Sequence, residues 1–163
     1  MRFKRLAEVV SPYFDEVLGA IRSGLFDTIG HLDFVKRYLV PHVTPADLAA
    51  TPELYEPLLR ALVATGTALE VNTSGLRQSP RETYPNEAVV RQFQVLGGTA
   101  LSAGSDAHDD QAFTSGLEAG YRVASTAGIG ELSFRRGGER VVVALPDRFR
   151  QPTRPNEAAI PSL

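Results

Sequence analysis

The sequence has no cysteine, no long apolar run and almost no excess of charge, and each lack removes a class of protein. Without cysteine there is no disulfide framework, no thiolate metal site and no cysteine nucleophile, and a reducing compartment is mildly favoured. The apolar stretches are far too short to span a bilayer. The opening MRFKRLAEVV carries neither the apolar h-region nor the cleavage site of a secretory signal. With 17 Lys and Arg against 19 Asp and Glu, a formal net charge of -2, there is no basic footprint for nucleic acid or for an anionic membrane. No repeat of fixed period and no low-complexity tract interrupts the chain. The expectation is a soluble, cytoplasmic protein with neither nucleic acid nor membrane as partner.

What is present is an ordinary globular composition: 163 residues, 43% hydrophobic and 22% charged. At that length one domain is expected, burying roughly 70% of its unfolded surface. Ser11-Pro12 reads as a helix start, followed by Tyr13, Val17 and Ile21 on one face and an end near Gly24. FDTIGH (26–31) reads as a buried strand. Thr51-Pro52-Glu53 opens a second helix striped by Leu54, Leu58 and Leu62, in which Pro57 should cause a kink or a later start. TALEVN (67–72) is a second strand, and Asn86-Glu87 caps a third helix stopped by Gly97-Gly98. GTALSAG (98–104) is a third strand, with a further helix expected around 112–127 and Asp109 and Asp110 preparing its start. This alternation argues for parallel β-α units. ELSF and RVVVAL around Arg136-Gly137-Gly138 then predict a hairpin, within a domain of residues 1–145 followed by a loosely ordered Pro-rich tail, 146–163.

Each expected strand ends in polar residues: Gly30-His31-Leu32-Asp33, then Asn72 to Arg77, then Ser105-Asp106-Ala107-His108. Carboxyl ends of parallel strands lie together, so these three clusters should share one face. Two of the three histidines stand there. Imidazole and carboxylate suit zinc, manganese or iron once thiolate is absent. Asp106 and His108, at i and i+2 of extended backbone, could face one ion, and His31 could supply a third ligand. Arg77 carries a guanidinium fork matched to phosphate oxygens, and Asn72 can add neutral hydrogen bonds to a substrate. Glu70, mid-strand, could partner a buried amide or cation, while His42 sits in a Pro-flanked loop and reads as structure or surface. Together the strand-end residues describe metal-assisted hydrolysis of a phosphate ester, a water activated by the metal being the nucleophile.

GHLDFVKRY, then LEVNTSGLR with ETYPNEAVV, then LSAGSDAH resemble the later motifs of the polymerase-and-histidinol-phosphatase (PHP) superfamily, closest to its histidinol-phosphatase branch. The resemblance runs from about Ser11 to about Val143, and EVNTSGLR is its most discriminating element. It implies a distorted (β/α)7 TIM-like barrel with up to three divalent metals at its carboxyl face, hydrolysing L-histidinol phosphate in histidine biosynthesis. It also implies His31, Asp106 and His108 as metal ligands, the last two catalytic, with Arg77 and Asn72 at the substrate. Lys36 and Arg37, after GHLD, are each within a motif that could reach the phosphate.

The family's N-terminal half supplies an HxH motif, a glutamate and a further histidine, and this sequence has no counterpart to them. The expected fold is therefore α/β, the C-terminal portion of such a barrel: three to four β-α units plus a hairpin. An incomplete site, little activity alone, and sheet edges hidden by homo-oligomerisation, a swapped dimer or a complementing N-terminal chain follow from that. Two other readings stay open: a PHP phosphoesterase acting on nucleotides or other small phosphates, and a non-catalytic binding or assembly module.

Overall fold

The first helix, α1 (Leu6–Arg22), runs straight through Ser11 and Pro12 rather than starting there. Its apolar positions explain why. Leu6, Val10, Phe14, Val17 and Ile21 recur at helical spacing, and Val10, Phe14 and Ile21 are buried in the core. Burial of side chains of this size contributes about 1.5–3 kcal/mol each, which offsets a proline penalty on the order of 3 kcal/mol. The helix ends as expected, at Gly24 with φ 67°. The structure, a computed structural model, describes residues 6–39 and 42–150.

After α1 come β1 (Thr28–Ile29), two short helices, α2 (Lys36–Leu39) and α3 (Pro45–Ala49), and then α4 (Pro52–Thr65). Thr44 caps α3 reciprocally with Asp47. Pro57 lies inside α4, yet the helix begins at Pro52, not later. The N–H that Pro57 lacks would have met the first turn, and Leu54, Leu58, Leu59 and Leu62 bury the stripe around it. Gly66, at φ 67°, closes the helix into β2 (Ala68–Asn72). Asn86 caps α5 (Glu87–Val95) by accepting from the Val89 N–H, and β3 (Leu101–Gly104) follows. The next helix, α6 (Leu117–Thr126), starts five residues later than the pattern suggested. Asp109 caps a turn instead, accepting from the Ala112 N–H at 2.7 Å.

β1, β2 and β3 form a parallel sheet in chain order, with Ile29 opposite Leu69 and Asn72 opposite Gly104. Right-handed crossovers in that order put the connecting helices on one side. Leu69 and Val71 face them, and α6 comes so close that a Cβ on Gly120 would sit 3.2 Å from Thr73 and 3.8 Å from Val71. Glu70 and Asn72 project from the opposite face. β1 is a two-residue edge strand, much shorter than FDTIGH promised.

The expected hairpin is present as β4 (Glu131–Arg136) and β5 (Glu139–Ala144). Gly137 and Gly138, at φ 58° and 86°, make the two-residue turn with positive φ at both positions that such hairpins favour. Arg135 pairs with Asp27, and Arg140 donates to the Gly66 carbonyl at 2.6 Å, so the hairpin is pinned beside the amino ends of β1 and β2. The tail expected from Pro146 begins with a packed turn, Asp147–Phe149, whose Phe149 is buried against Tyr121. Residues 151–163 of that tail lie outside the described residues. No described helix is long and apolar enough to cross a membrane.

Candidate metal and anion site

The three strand ends meet. His31, two residues beyond β1, takes a left-handed backbone with φ 56°. Its carbonyl accepts from the Phe34 N–H at 3.0 Å and from the Tyr13 hydroxyl on α1. Burial pushes the Tyr13 hydroxyl up to about 12. Asp106, two residues beyond β3, is also left-handed at φ 49°. Non-glycine residues are uncommon there, and such strain collects at functional sites. The His31 Nε2 lies 3.0 Å from Asp106 Oδ2 and 3.1 Å from Asn72 Nδ2. The hydrogen bond with His31 holds the Asp106 carboxyl below the usual carboxylate range, aided by Ser74 and His108 and opposed by partial burial.

His108 is placed differently from the extended-backbone argument. β3 stops at Gly104 and Asp106 turns left-handed, so i and i+2 do not point alike. The His108 Nδ1 instead meets the Asp106 carbonyl at 3.0 Å and stands 3.9 Å from its carboxylate, on a side chain 84% exposed. Among the described residues no three His, Cys, Asp or Glu side chains are grouped to hold one ion. The direct pair is His31 and Asp106.

Asn72 is 1% exposed, with protein partners on both amide atoms. Its Oδ1 accepts from the Ser74 N–H at 2.9 Å and hydroxyl at 2.7 Å, while Nδ2 faces His31 and Glu70 Oε2, the latter at 3.2 Å. Glu70 is thus the partner of a buried amide. Its carboxylate lies across Gly30 and Gly104, where an added Cβ would come within 2.7 and 2.5 Å of its oxygens.

Arg77 sits at the end of a 3-10 turn, Ser74–Arg77, and donates to the Ser105 carbonyl at 2.9 Å. Arg37 holds its guanidinium 5.6 Å from the Phe34 ring and 5.8 Å from that of Tyr38. Both arginines line an open cleft of about 570 Å³ together with His31, Asp106, His108 and Asp109. Lys36 does not. It is 2% exposed and donates to Asp33 at 2.9 Å, Glu82 at 2.6 Å and the Thr83 carbonyl at 2.8 Å. Tyr55 donates to the same Asp33 oxygen at 3.1 Å, and burial pushes the Asp33 carboxyl up against the pull of Lys36. The sequence offered no local signal for this, because Glu82 lies 46 residues away. Nor did it reveal the Tyr13 hydroxyl, which read only as part of an apolar helix face.

No family model matches the chain. It is 34% identical over 111 residues to the probable histidinol-phosphatase of Thermotoga maritima, covering 68% of this chain and 45% of that protein. To the probable histidinol-phosphatase of Deinococcus radiodurans it is 38% identical over 112 residues, 69% of this chain and 38% of that one. The crystal structure of the histidinol phosphate phosphatase of Lactococcus lactis, complexed with zinc, L-histidinol and phosphate, shares the fold with a TM-score of 0.66 at 24% identity. That match covers 85% of this chain and 52% of the other. The chain spans less than half the length of the curated relatives it matches. The sequence likeness over these stretches supports the histidinol-phosphatase branch of the PHP superfamily, and the shared fold is consistent with it.

Proposed function

We propose that this chain carries the carboxyl part of a histidinol-phosphatase-type (β/α) barrel and acts, once completed, as a cytoplasmic metal-dependent phosphomonoesterase on L-histidinol phosphate. The contact of His31 with Asp106 is the observation that carries the reading. At 3.0 Å apart, both atoms can reach one ion at zinc bond lengths of about 2.0–2.2 Å. An imidazole nitrogen and a carboxylate oxygen facing each other are also the kind of donor pair that suits a divalent cation. When bound, such an ion supplies Lewis acidity beside the phosphate.

The other residues take parts that follow from their positions. Arg77, braced by the Ser105 carbonyl, presents its fork to the phosphate oxygens, and Arg37 adds a second guanidinium from across the cleft. His108, on its exposed turn, is a further ligand if its ring swings toward Asp106. The remaining ligands, and the strands that would pair with the free edge of β1, would come from an N-terminal segment outside this sequence or from a complementing chain. This reading expects little turnover from the 163 residues alone.

The test is binding and turnover measured together. The chain should bind zinc or manganese through His31 and Asp106, bind inorganic phosphate, and hydrolyse L-histidinol phosphate far below the ordinary enzyme range of roughly 1–10³ per second. Zinc binding that survives Asp106→Ala, or absence of both zinc and phosphate binding, overturns the proposed site. Ordinary turnover by the chain alone overturns its incompleteness. Hydrolysis of nucleotides in preference to histidinol phosphate, in a completed barrel, would replace the substrate.

A further inference from the structure

Tyr84 places a phenol hydroxyl behind the cleft, and what that hydroxyl needs decides how a cleft residue faces. The Tyr84 side chain is fully buried. The Phe34 ring meets it edge-on with centroids 5.3 Å apart, and Lys36 Nζ lies 4.9 Å from its ring centroid. The turn Ser74–Arg77 rests on the same ring, so closely that a Cβ on Gly75 would come within 2.8 Å of a ring carbon. Held in this way, the hydroxyl donates to Gln78 Oε1 at 2.8 Å. A buried phenol hydrogen needs an acceptor, and among the described residues Gln78 supplies it. The reversed amide would offer its own hydrogens to the phenol oxygen and leave the phenol hydrogen without a partner. Burial also pushes the Tyr84 hydroxyl up to about 12, so it keeps its hydrogen through the neutral range.

We propose that Gln78 is a further phosphate-binding residue of the cleft and Tyr84 the positioning residue that aims it: with its carbonyl held by the phenol, the Gln78 amide is left to donate to the oxygens of a phosphate monoester. This deepens the proposed function and rests on its reading of the cleft as a phosphate site. Gln78 lines the cleft together with Arg77 and Arg37. It follows Arg77 directly, and its backbone N–H is tied to the Gly75 carbonyl at 3.1 Å, so one turn presents both side chains. Their contributions differ in kind. The guanidinium charges attract an anion from a distance and are screened by salt. The amide carries no charge, and it adds only what a hydrogen bond to a well-placed oxygen adds.

The experiment titrates the chain with inorganic phosphate, following calorimetry and the nitrogen-15 signals of the Gln78 side-chain amide. Those signals should move as phosphate binds. Gln78→Leu should weaken phosphate roughly three- to tenfold, by the same factor at low and high salt, whereas the loss in Arg77→Ala should shrink as salt rises. Gln78→Glu keeps an acceptor for Tyr84 but turns a carboxylate toward the anion, and should weaken binding further. Tyr84→Phe should cost less than Gln78→Leu, and nothing more once Gln78 is already replaced, because it acts through that amide. If Tyr84→Phe does not fold, the amide signals and the two Gln78 variants decide. Equal phosphate affinity in the wild type and Gln78→Leu, or amide signals that ignore phosphate, overturns the role of Gln78. The phosphate reading survives that result if Arg77→Ala still loses binding. Independent, additive losses in Tyr84→Phe and Gln78→Leu overturn the aiming by Tyr84. A wild-type chain that binds no phosphate overturns the phosphate reading and this inference with it.

Discussion

Two polar clusters lie within a few residues of each other along the chain, and they are built on opposite principles. In one, Lys36 is buried with Asp33, Glu82, Tyr55 and the Thr83 carbonyl, and a protein cation bridges the two carboxylates. In the other, His31 and Asp106 open on the cleft with the buried Asn72 behind them, and Asn72 and Asp106 both meet one ring nitrogen of His31. The first brings its own positive charge. The second has two carboxylates near it, Asp106 and Glu70, and an imidazole, with no lysine or arginine side chain hydrogen-bonded to those carboxylates among the described residues. The difference teaches how a neighbour can be excluded from a site: Lys36, one position before the cleft residue Arg37, is consumed by structure and brings no charge to the strand-end cluster.

The closed cluster should be the harder to break without harm. Lys36→Met strips the cation from Asp33 and Glu82, and breaking a buried pair in this way costs about 3–5 kcal/mol. Urea denaturation should show the loss; a shift below about 1 kcal/mol would mean that Lys36 does not hold the two carboxylates as its distances describe. The open cluster should respond to added metal instead. Zinc at a hundredfold excess over its dissociation constant should stabilise the wild-type chain by about 2.7 kcal/mol, and Asp106→Ala should abolish that gain while leaving the metal-free midpoint almost unmoved. Tyr13→Phe should have a smaller effect than either. It removes the hydroxyl that holds the His31 carbonyl and should cost on the order of 1 kcal/mol in thermal unfolding, with part of the zinc affinity lost as well.

The same contrast explains what could be read from residues alone. The open cluster is assembled from strand ends, and parallel order brings strand ends together, so His31, Arg77 and Asp106 were legible once three strands had been recognised. Local chemistry also spoke for itself at Asn86, whose side chain caps α5, and at Gly137-Gly138, whose positive φ values close the hairpin. The closed cluster depends on a lysine and a glutamate 46 residues apart and has no periodicity. Pro12 misled because proline at the first position of a helix and proline inside one look alike until the burial of Val10 is known. His108 misled because the i, i+2 rule needs extended backbone, and the left-handed turn at Asp106 abolishes it. Each failure came from a tertiary constraint overriding a sound local rule.

Acid gives the smallest and most discriminating comparison, because the two aspartates are shifted in opposite directions. Asp106 is held below the ordinary carboxylate range by its hydrogen bond to His31. Its contribution to stability is therefore present above pH about 4 and is lost as pH falls through the lower folded value. Asp33 is pushed up by burial, so the folded state takes up its proton more readily than the unfolded chain does. Its effect has the other sign, and acidification through that range removes an unfavourable buried charge. Asp106→Asn should accordingly flatten the acid limb of the stability profile below pH about 4, by no more than a few tenths of a kcal/mol because solvent reaches Asp106 across the open cleft and screens the pair. Asp33→Asn should do the reverse, steepening the limb by deleting a shift that favours the acid-folded state. Parallel acid limbs for wild type and both variants would show that the open and closed clusters do not differ in the way their geometry requires.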